Sequence, residues 1–435
     1  MKKVLIITYY WPPAGGIGVQ RIAKFCKYLP ECGWEPIVLT VNSENYERKD
    51  TSLLSDIKNI SNIYRTTSLE PHIIYNFFDT HLRGKTKVKP TTRKIKRSRF
   101  RYFAEYIRLN LFIPDTRIGW LYNGYRRGKQ LIQEHKPDLI FSTAPPYTPH
   151  LLALKLHKAS STPWIADFRD PWIENTVYNT VKRLKLAISI NRYLEKRVLT
   201  NASALTFTGP QLKDLYMRNT GRHHEAKAHV ITNGYDPEDW LNRQNKQTEQ
   251  FYITYFGSLY KQRFHSRFFI VLGKLINSNP TLKEKLSLRF IGTIDDELKT
   301  YISKHIPKKN LKISDYVPYK EAIELLLQPQ LLLLIIDNVP FNETITLGKV
   351  FDYLPTRNPI LGIGPLNCDT ANIIRETNTG YFFDYDDDIG VKKYILDAFN
   401  NWQTNNLSLK KRNLESFYRR ELTKKLSQIF NKVTG

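Results

Sequence analysis

Two α/β halves, each wound on a parallel sheet with helices on both faces, are what this sequence predicts. Three observations carry that expectation. The chain opens with a short β-branched apolar run at 4–8, which passes through a glycine-rich turn into a helical repeat at Ile22, Phe25, Cys26 and Leu29. The same strand–loop–helix pattern starts again at Phe251–Phe256, after a polar stretch. At 435 residues the chain is also too long for one ordinary core.

Composition narrows the function classes. With 41% hydrophobic and 13% aromatic residues the chain is globular rather than disordered. A formal net charge of +25 points to an anionic partner, which composition leaves open among nucleic acid, anionic lipid and a phosphorylated substrate. Cys26, Cys32 and Cys368 have no metal-ligand spacing, and the apolar run after Met1 stops at Tyr9, Tyr10 and Trp11, too early for a signal peptide. Both features predict a reducing cytoplasm. The long apolar run at 323–336 contains Pro329 and is too short to cross a bilayer.

In the first half, the loop at 12–21 carries Gly15, Gly16 and Gly18 but matches neither the dinucleotide fingerprint nor a P-loop. It reads as close approach of backbone to a ligand at Gly16 and Gly18, or as a tight turn alone. Further strands are predicted at 36–41, 138–143, 163–166, 203–208 and 227–232. Strand ends in open α/β sheets face the binding crevice, which singles out His150 at a helix start and Asp167, Arg169, Asp170 and Trp172 after a strand. Between these lies the most basic stretch, with Arg93, Lys94, Lys96, Arg97, Arg99 and Arg101 interleaved with aromatics. A helix from Phe100 onward would set its apolar side in a headgroup layer and its cations on anionic lipid. An inert basic loop is the alternative, and nucleic-acid binding has no fold signature behind it.

The expected organisation is a first domain over 1–240, a second over 241–408, and a final amphipathic helix over 409–435. Second-half strands are predicted at Phe251–Phe256, Leu286–Ile291, 311–313 and 331–336. The polar run at 342–348 then leads into 349–359, read as a helix of about three turns. Free amides at its start, together with Lys349, would form an anion site, with Lys261 and Arg263 converging on the same point. Separate surface cations are the alternative. The acidic run at 384–388 reads as a solvated loop rather than a metal site.

Taken in order, the segments 12–21, 142–149 with 166–172, 232–239, 256–260 and 349–359 resemble the retaining glycosyltransferases of the GT-B fold, family 4. The resemblance covers nearly the whole length and is nearest to the bacterial branch that builds capsule, exopolysaccharide or lipopolysaccharide. It implies two Rossmann-like domains with a cleft between them and a last helix crossing back to the first. It also implies a nucleotide-diphosphate sugar held mainly by the second domain, with a lipid-linked saccharide or polysaccharide acceptor on the first. No metal or other cofactor and no nucleic acid are implied, and the place of work is the cytoplasmic face of an anionic membrane.

Carried over by position, the resemblance puts Lys261, Arg263, Gly348 and Lys349 around the donor diphosphate, with Gly16 and Gly18 facing it from the other domain. Asp352 falls where relatives contact the nucleotide ribose, Val317 where backbone meets the base, and Thr344 where they carry a first glutamate; Glu343 is one residue away. Arg263, Lys349 and Asp167 are the catalytic candidates, and His150, Arg169, Asp170 and Trp172 the acceptor side. No carboxylate stands out as a nucleophile, so the resemblance implies front-face attack assisted by the leaving phosphate. Thr344, Arg357 at a usual glycine and Pro355 at a small-residue position depart from the pattern. They leave open a non-catalytic scaffold for a partner transferase, and the fold also admits a nucleotide-sugar epimerase.

Overall fold

The computed structural model describes residues 1–46, 49–69, 99–174, 181–241, 248–315, 317, 319–404 and 414–435. The chain forms two compact units. Met1–Thr208, Leu212–Ile231 and Thr423–Gly435 make the first, and Gly209–Gln211 with Thr232–Leu422 the second.

The first unit is built on seven parallel strands: β1 Lys2–Ile7, β2 Trp34–Val41, β3 Ile63–Thr66, β4 Leu139–Ala144, β5 Trp164–Phe168, β6 Ala204–Phe207 and β7 Ala228–Val230. Their order is β3-β2-β1-β4-β5-β6-β7, so the winding reverses between β1 and β4. Helices cover both faces, which is why β4 and β5 are buried at every position and read as continuous apolar runs rather than alternating ones. The edge strand β3 escapes sequence reading because its four residues are all half-buried and only two of them, Ile63 and Tyr64, are apolar.

A buried ion pair ties the middle of this sheet to the first helix, Ile17–Tyr28. The Arg21 guanidinium donates to both oxygens of Asp167, at 2.9 and 3.3 Å, and to the Ile231 carbonyl at 2.8 Å. Thr143 and Thr206, on the strands flanking β5, donate to the same carboxylate at 2.8 and 2.7 Å. Asp167 was expected at a reacting centre; instead it is sealed in the sheet with both oxygens occupied. Residues from 423 onward belong to this unit, where Phe430 packs edge-on to Trp34 and against Phe141.

The second unit holds six parallel strands: β8 Phe251–Phe256, β9 Leu286–Ile291, β10 Leu311–Ser314, β11 Leu331–Ile335, β12 Ile360–Ile363 and β13 Gly380–Phe383. The order is β10-β9-β8-β11-β12-β13, reversing between β8 and β11. The helix expected over about three turns from Lys349 is shorter, with five helical residues, Lys349–Tyr353, followed by a 3₁₀ turn at Leu354–Thr356. Pro355 lacks the amide that a continuing helix would need. Arg357 ends the turn at φ 59°, the left-handed backbone that glycine adopts without strain.

Burial alone would raise the Asp167 carboxyl, but Arg21 and the threonine hydroxyls outweigh it and hold it below the usual range. The pair's contribution is therefore complete above the ordinary aspartate value of about 3.9 and lost as pH falls through the depressed folded value. Asp167→Ala should cost about 3–5 kcal/mol at neutral pH, because it strands a buried guanidinium, and Arg21→Met in the same chain should recover much of that. Denaturant titration at neutral and acid pH checks both statements.

Candidate active site

In each unit the connections leave two neighbouring strands in opposite directions, which opens a crevice at the strand ends. In the second unit this point lies beyond β8 and β11. Gly257 follows β8 at φ 98°, and a Cβ there would lie 3.3 Å from the Lys349 ammonium. The turn Lys261–Arg263 comes next, and β11 runs on to Asp337. Arg263 Nε donates to Asp337 Oδ1, and a second Arg263 nitrogen donates to the Tyr260 hydroxyl at 2.7 Å. That hydroxyl donates in turn to Asp337 Oδ2 at 2.9 Å, closing a triangle. Burial would weaken the guanidinium's hold on its proton, but Tyr255, Asp337 and Tyr260 overcome it and keep Arg263 charged. Burial also pushes the Tyr255 hydroxyl up to about 12.

Lys349 presents the opposite case. Its Nζ sits 3.9 Å from the centre of the Tyr255 ring, buried, with no hydrogen-bond partner among the described residues. Burial, reinforced by the Arg263 charge, carries its pKa well below the ordinary lysine value, and Asp337 and Asp352 only partly offset this. Besides these two carboxylates, the cation–π contact with Tyr255 favours the charged form. An amine held this way beside a committed guanidinium lacks a negative charge.

The structure thus brings Arg263 and Lys349 together. Lys261 shares the turn with Arg263 but is exposed. Amides of the short helix do not supply a free cluster, since Val350 N–H closes onto Leu347 and Phe351 N–H onto Gly348, both at 3.1 Å. The positive charge at Gly348 is therefore the lysine's own. Asp352 lies half-buried in the first turn of that helix. Thr344 is buried, and its hydroxyl donates to the Phe341 carbonyl at 2.7 Å. Val317 is half-buried in the link after β10. Sequence reading missed Asp337, Tyr260 and Tyr255. A lone acid closing an apolar strand was the available signal for Asp337; Tyr260 closes the segment 256–260 and Tyr255 lies in the predicted strand before it, but neither position indicates a site role. The acidic run after β13 is accounted for by Arg267, which pairs with Asp386 and Asp388 at 2.6 and 2.9 Å.

The first unit has its own crevice where β1 and β4 diverge. A cavity of about 390 Å³ is lined by Thr8, Tyr10, Gly16, Gly18, Pro145 and Arg169, among others. Gly16 starts the first helix at φ 117°. A Cβ on Gly18 would come within 1.4 Å of the Arg169 guanidinium, so this glycine makes room for that side chain. Arg169 is in turn anchored on the carbonyls of Ala144 and Pro145.

The other acceptor-side candidates stand apart from this cavity. His150 is fully buried, bonded through Nδ1 to Ser142 at 2.8 Å, and lowered to about 3 by burial, so it is a neutral packing residue. Trp172 is buried against Tyr147, with its indole nitrogen on Asn191 at 3.0 Å. Asp170 is exposed. Arg93, Lys94, Lys96 and Arg97 lie outside the described residues, and Arg99 and Arg101 fall in the helix Arg99–Leu111.

Two outcomes follow from this geometry. Arg263→Ala should cost about 3–5 kcal/mol, because it leaves the buried Asp337 carboxylate without its paired cation; Asp337→Asn in the same chain should restore part of it. Lys349→Met keeps the bulk and removes an unsatisfied buried donor whose burden is about 1–3 kcal/mol, so its thermal midpoint should equal or exceed that of the parent. Scanning calorimetry of the variants measures both.

Solved structures share this architecture across their whole length. Sucrose-phosphate synthase from Thermosynechococcus elongatus aligns with a TM-score of 0.61 at 12% identity, covering 99% of each chain. Anabaena HepE, solved with UDP-glucose, aligns at 0.61 and 10% identity over 99% of this chain and 100% of its own. WaaG, a glycosyltransferase of lipopolysaccharide biosynthesis, aligns at 0.57 and 13% identity over 98% and 99%. At these identities the likeness establishes the fold. No curated protein sequence matches the chain. The family model described as Glycosyltransferase Family 4 matches residues 14–239, more than half of the sequence. The chain belongs to Glycosyltransferase Family 4, and its two parallel-sheet units have the GT-B fold.

Proposed function

We propose that this protein moves a sugar from a nucleotide-diphosphate sugar to a lipid-linked saccharide or polysaccharide acceptor, with retention of configuration, at the cytoplasmic face of a membrane. The observation that carries the donor half is the Lys349 amine, whose nitrogen is buried without a hydrogen-bond partner among the described residues and set near Arg263 at the β8/β11 strand ends. A diphosphate supplies the missing charge. HepE was solved with a nucleotide sugar, and WaaG is a lipopolysaccharide enzyme, which supports the donor and acceptor classes assigned here.

In the reaction, the bond from the anomeric carbon to the diphosphate oxygen breaks as charge grows on that oxygen. Arg263 and Lys349 stabilise this charge, and a low-dielectric surrounding strengthens the effect. The acceptor hydroxyl bonds to the anomeric carbon from the departing side, and its proton passes to the leaving phosphate. This reading assigns charge stabilisation to side chains and not to a metal. Lys261 and Gly348 belong to the same diphosphate site, Asp352 to the ribose, Val317 to the base and Thr344 to the sugar. Gly16 and Gly18 are assigned to the donor and Arg169 to the acceptor side.

A binding scaffold without turnover is the second reading. It is favoured by Thr344, whose hydroxyl is satisfied internally where relatives present a carboxylate.

Donor screening with mass-spectrometric detection separates the possibilities. Transfer to an added acceptor, with loss of the nucleotide diphosphate, is the expected result. Tight donor binding with no turnover would establish the scaffold, and conversion of donor without acceptor would establish an epimerase. Because Lys349 is depressed in the free protein and an anion favours its charged form, donor binding should take up a proton. That uptake should hold at pH values between the depressed value and the ordinary lysine value of about 10.4. Calorimetric titration in buffers of different ionisation enthalpy detects it. Lys349→Met should abolish the uptake and weaken binding by about 10- to 100-fold, the weight of a hydrogen bond to a charged group.

A further inference from the structure

Helix Lys185–Asn201 of the first unit is apolar on two sides. Ala187, Val198 and Leu199 are buried in the unit. Facing the other way, Leu186, Ile190 and Tyr193 are 71%, 38% and 60% exposed. Their spacing of four and then three residues puts them in one line along the helix. The line continues past the helix start. Leu184, 46% exposed, donates its amide to Asn110 Oδ1 at 2.6 Å, and Asn110 is followed by Leu111, 71% exposed at the end of helix Arg99–Leu111. Single exposed leucines are ordinary, but a connected row of large apolar side chains marks a surface that meets something.

The charge around the row says what. Lys182, Lys185, Arg192 and Lys196 are all exposed beside it. The only acid on the helix, Glu195, is buried, and Glu105 on the neighbouring helix pairs with Arg108 at 3.3 Å. An apolar stripe flanked by cations is the pattern of a helix lying in a lipid interface. A second copy of the chain would set these cations against their own kind in a two-fold interface.

We propose that this face, Leu111 and Leu184 with Leu186, Ile190 and Tyr193, seats the protein on an anionic lipid surface, with Lys185, Arg192 and Lys196 against the headgroups. The proposal rests on the membrane location given under Proposed function, and it moves the principal contact from the basic run at 93–101 to this helix.

Co-sedimentation of the full chain with vesicles of phosphatidylglycerol and phosphatidylcholine tests it, against phosphatidylcholine alone. Binding should need the anionic lipid and weaken with salt. The variant Leu186→Ser/Ile190→Ser/Tyr193→Ser should lose about tenfold or more in partitioning, as expected for three apolar side chains leaving an interface. Its melting midpoint should stay unchanged, since all three side chains are exposed. Lys185→Gln/Arg192→Gln/Lys196→Gln reads the same docking through a flatter salt dependence. Parental binding by the serine variant would overturn the proposal. So would equal binding to neutral vesicles, or a concentration-dependent dimer that the serine variant abolishes. Donor titration of the parental protein keeps the two readings apart: nucleotide-sugar binding without vesicle binding sinks only the surface, and vesicle binding without nucleotide-sugar binding sinks only the donor assignment.

Discussion

A charge taken out of water must be answered by another charge or by hydrogen bonds, and this protein meets that requirement in one unit while leaving it open in the other. Arg21 and Asp167 are fully answered by each other, by two threonines and by a carbonyl. They bind a helix to three neighbouring strands, β4, β5 and β6. At the ends of β8 and β11, Arg263 is likewise answered by Asp337 and Tyr260, and Lys349 is not. The first arrangement fixes a fold. The second leaves a deficit that the diphosphate of the proposed donor would remove.

That asymmetry explains why the two sites differ so much in what sequence reveals. Central strands such as β1, β8 and β9 announce themselves, because helices on both faces demand unbroken apolar runs. The four-residue edge strands β3 and β13, neither of which has a buried residue, pass unnoticed. Arg263 and Lys349 are visible as cations near strand and helix boundaries, yet their different standing is not. It depends on Asp337, 74 residues from Arg263 in the chain, and on where the Tyr255 ring lies. Asp167 shows the converse. An acid at a strand end beside an arginine looks catalytic in sequence, and only the packing shows that a different arginine, 146 residues away, has claimed it.

Departures from the family pattern acquire physical content in the same way. Arg357 stands in left-handed backbone where a glycine would be relaxed, so the chain accepts local strain there. Thr344 turns its hydroxyl onto its own turn. Both positions border the segment that carries Lys349, and the proposed reading assigns Thr344 to the sugar rather than to the diphosphate.

The placement of Phe430 has a consequence for how the molecule is made. Trp34, beginning the second strand of the chain, packs on Phe430 and bonds through its indole nitrogen to Asn431 at 3.1 Å, a partner 397 residues later. During synthesis the first sheet can assemble on local contacts, but one of its faces stays unfinished until the entire second unit has left the ribosome. For that interval the apolar surface around Trp34 and Phe141 faces solvent or a chaperone. The order of translation and the order of completion therefore run opposite to each other, and the unit made first is the last to close.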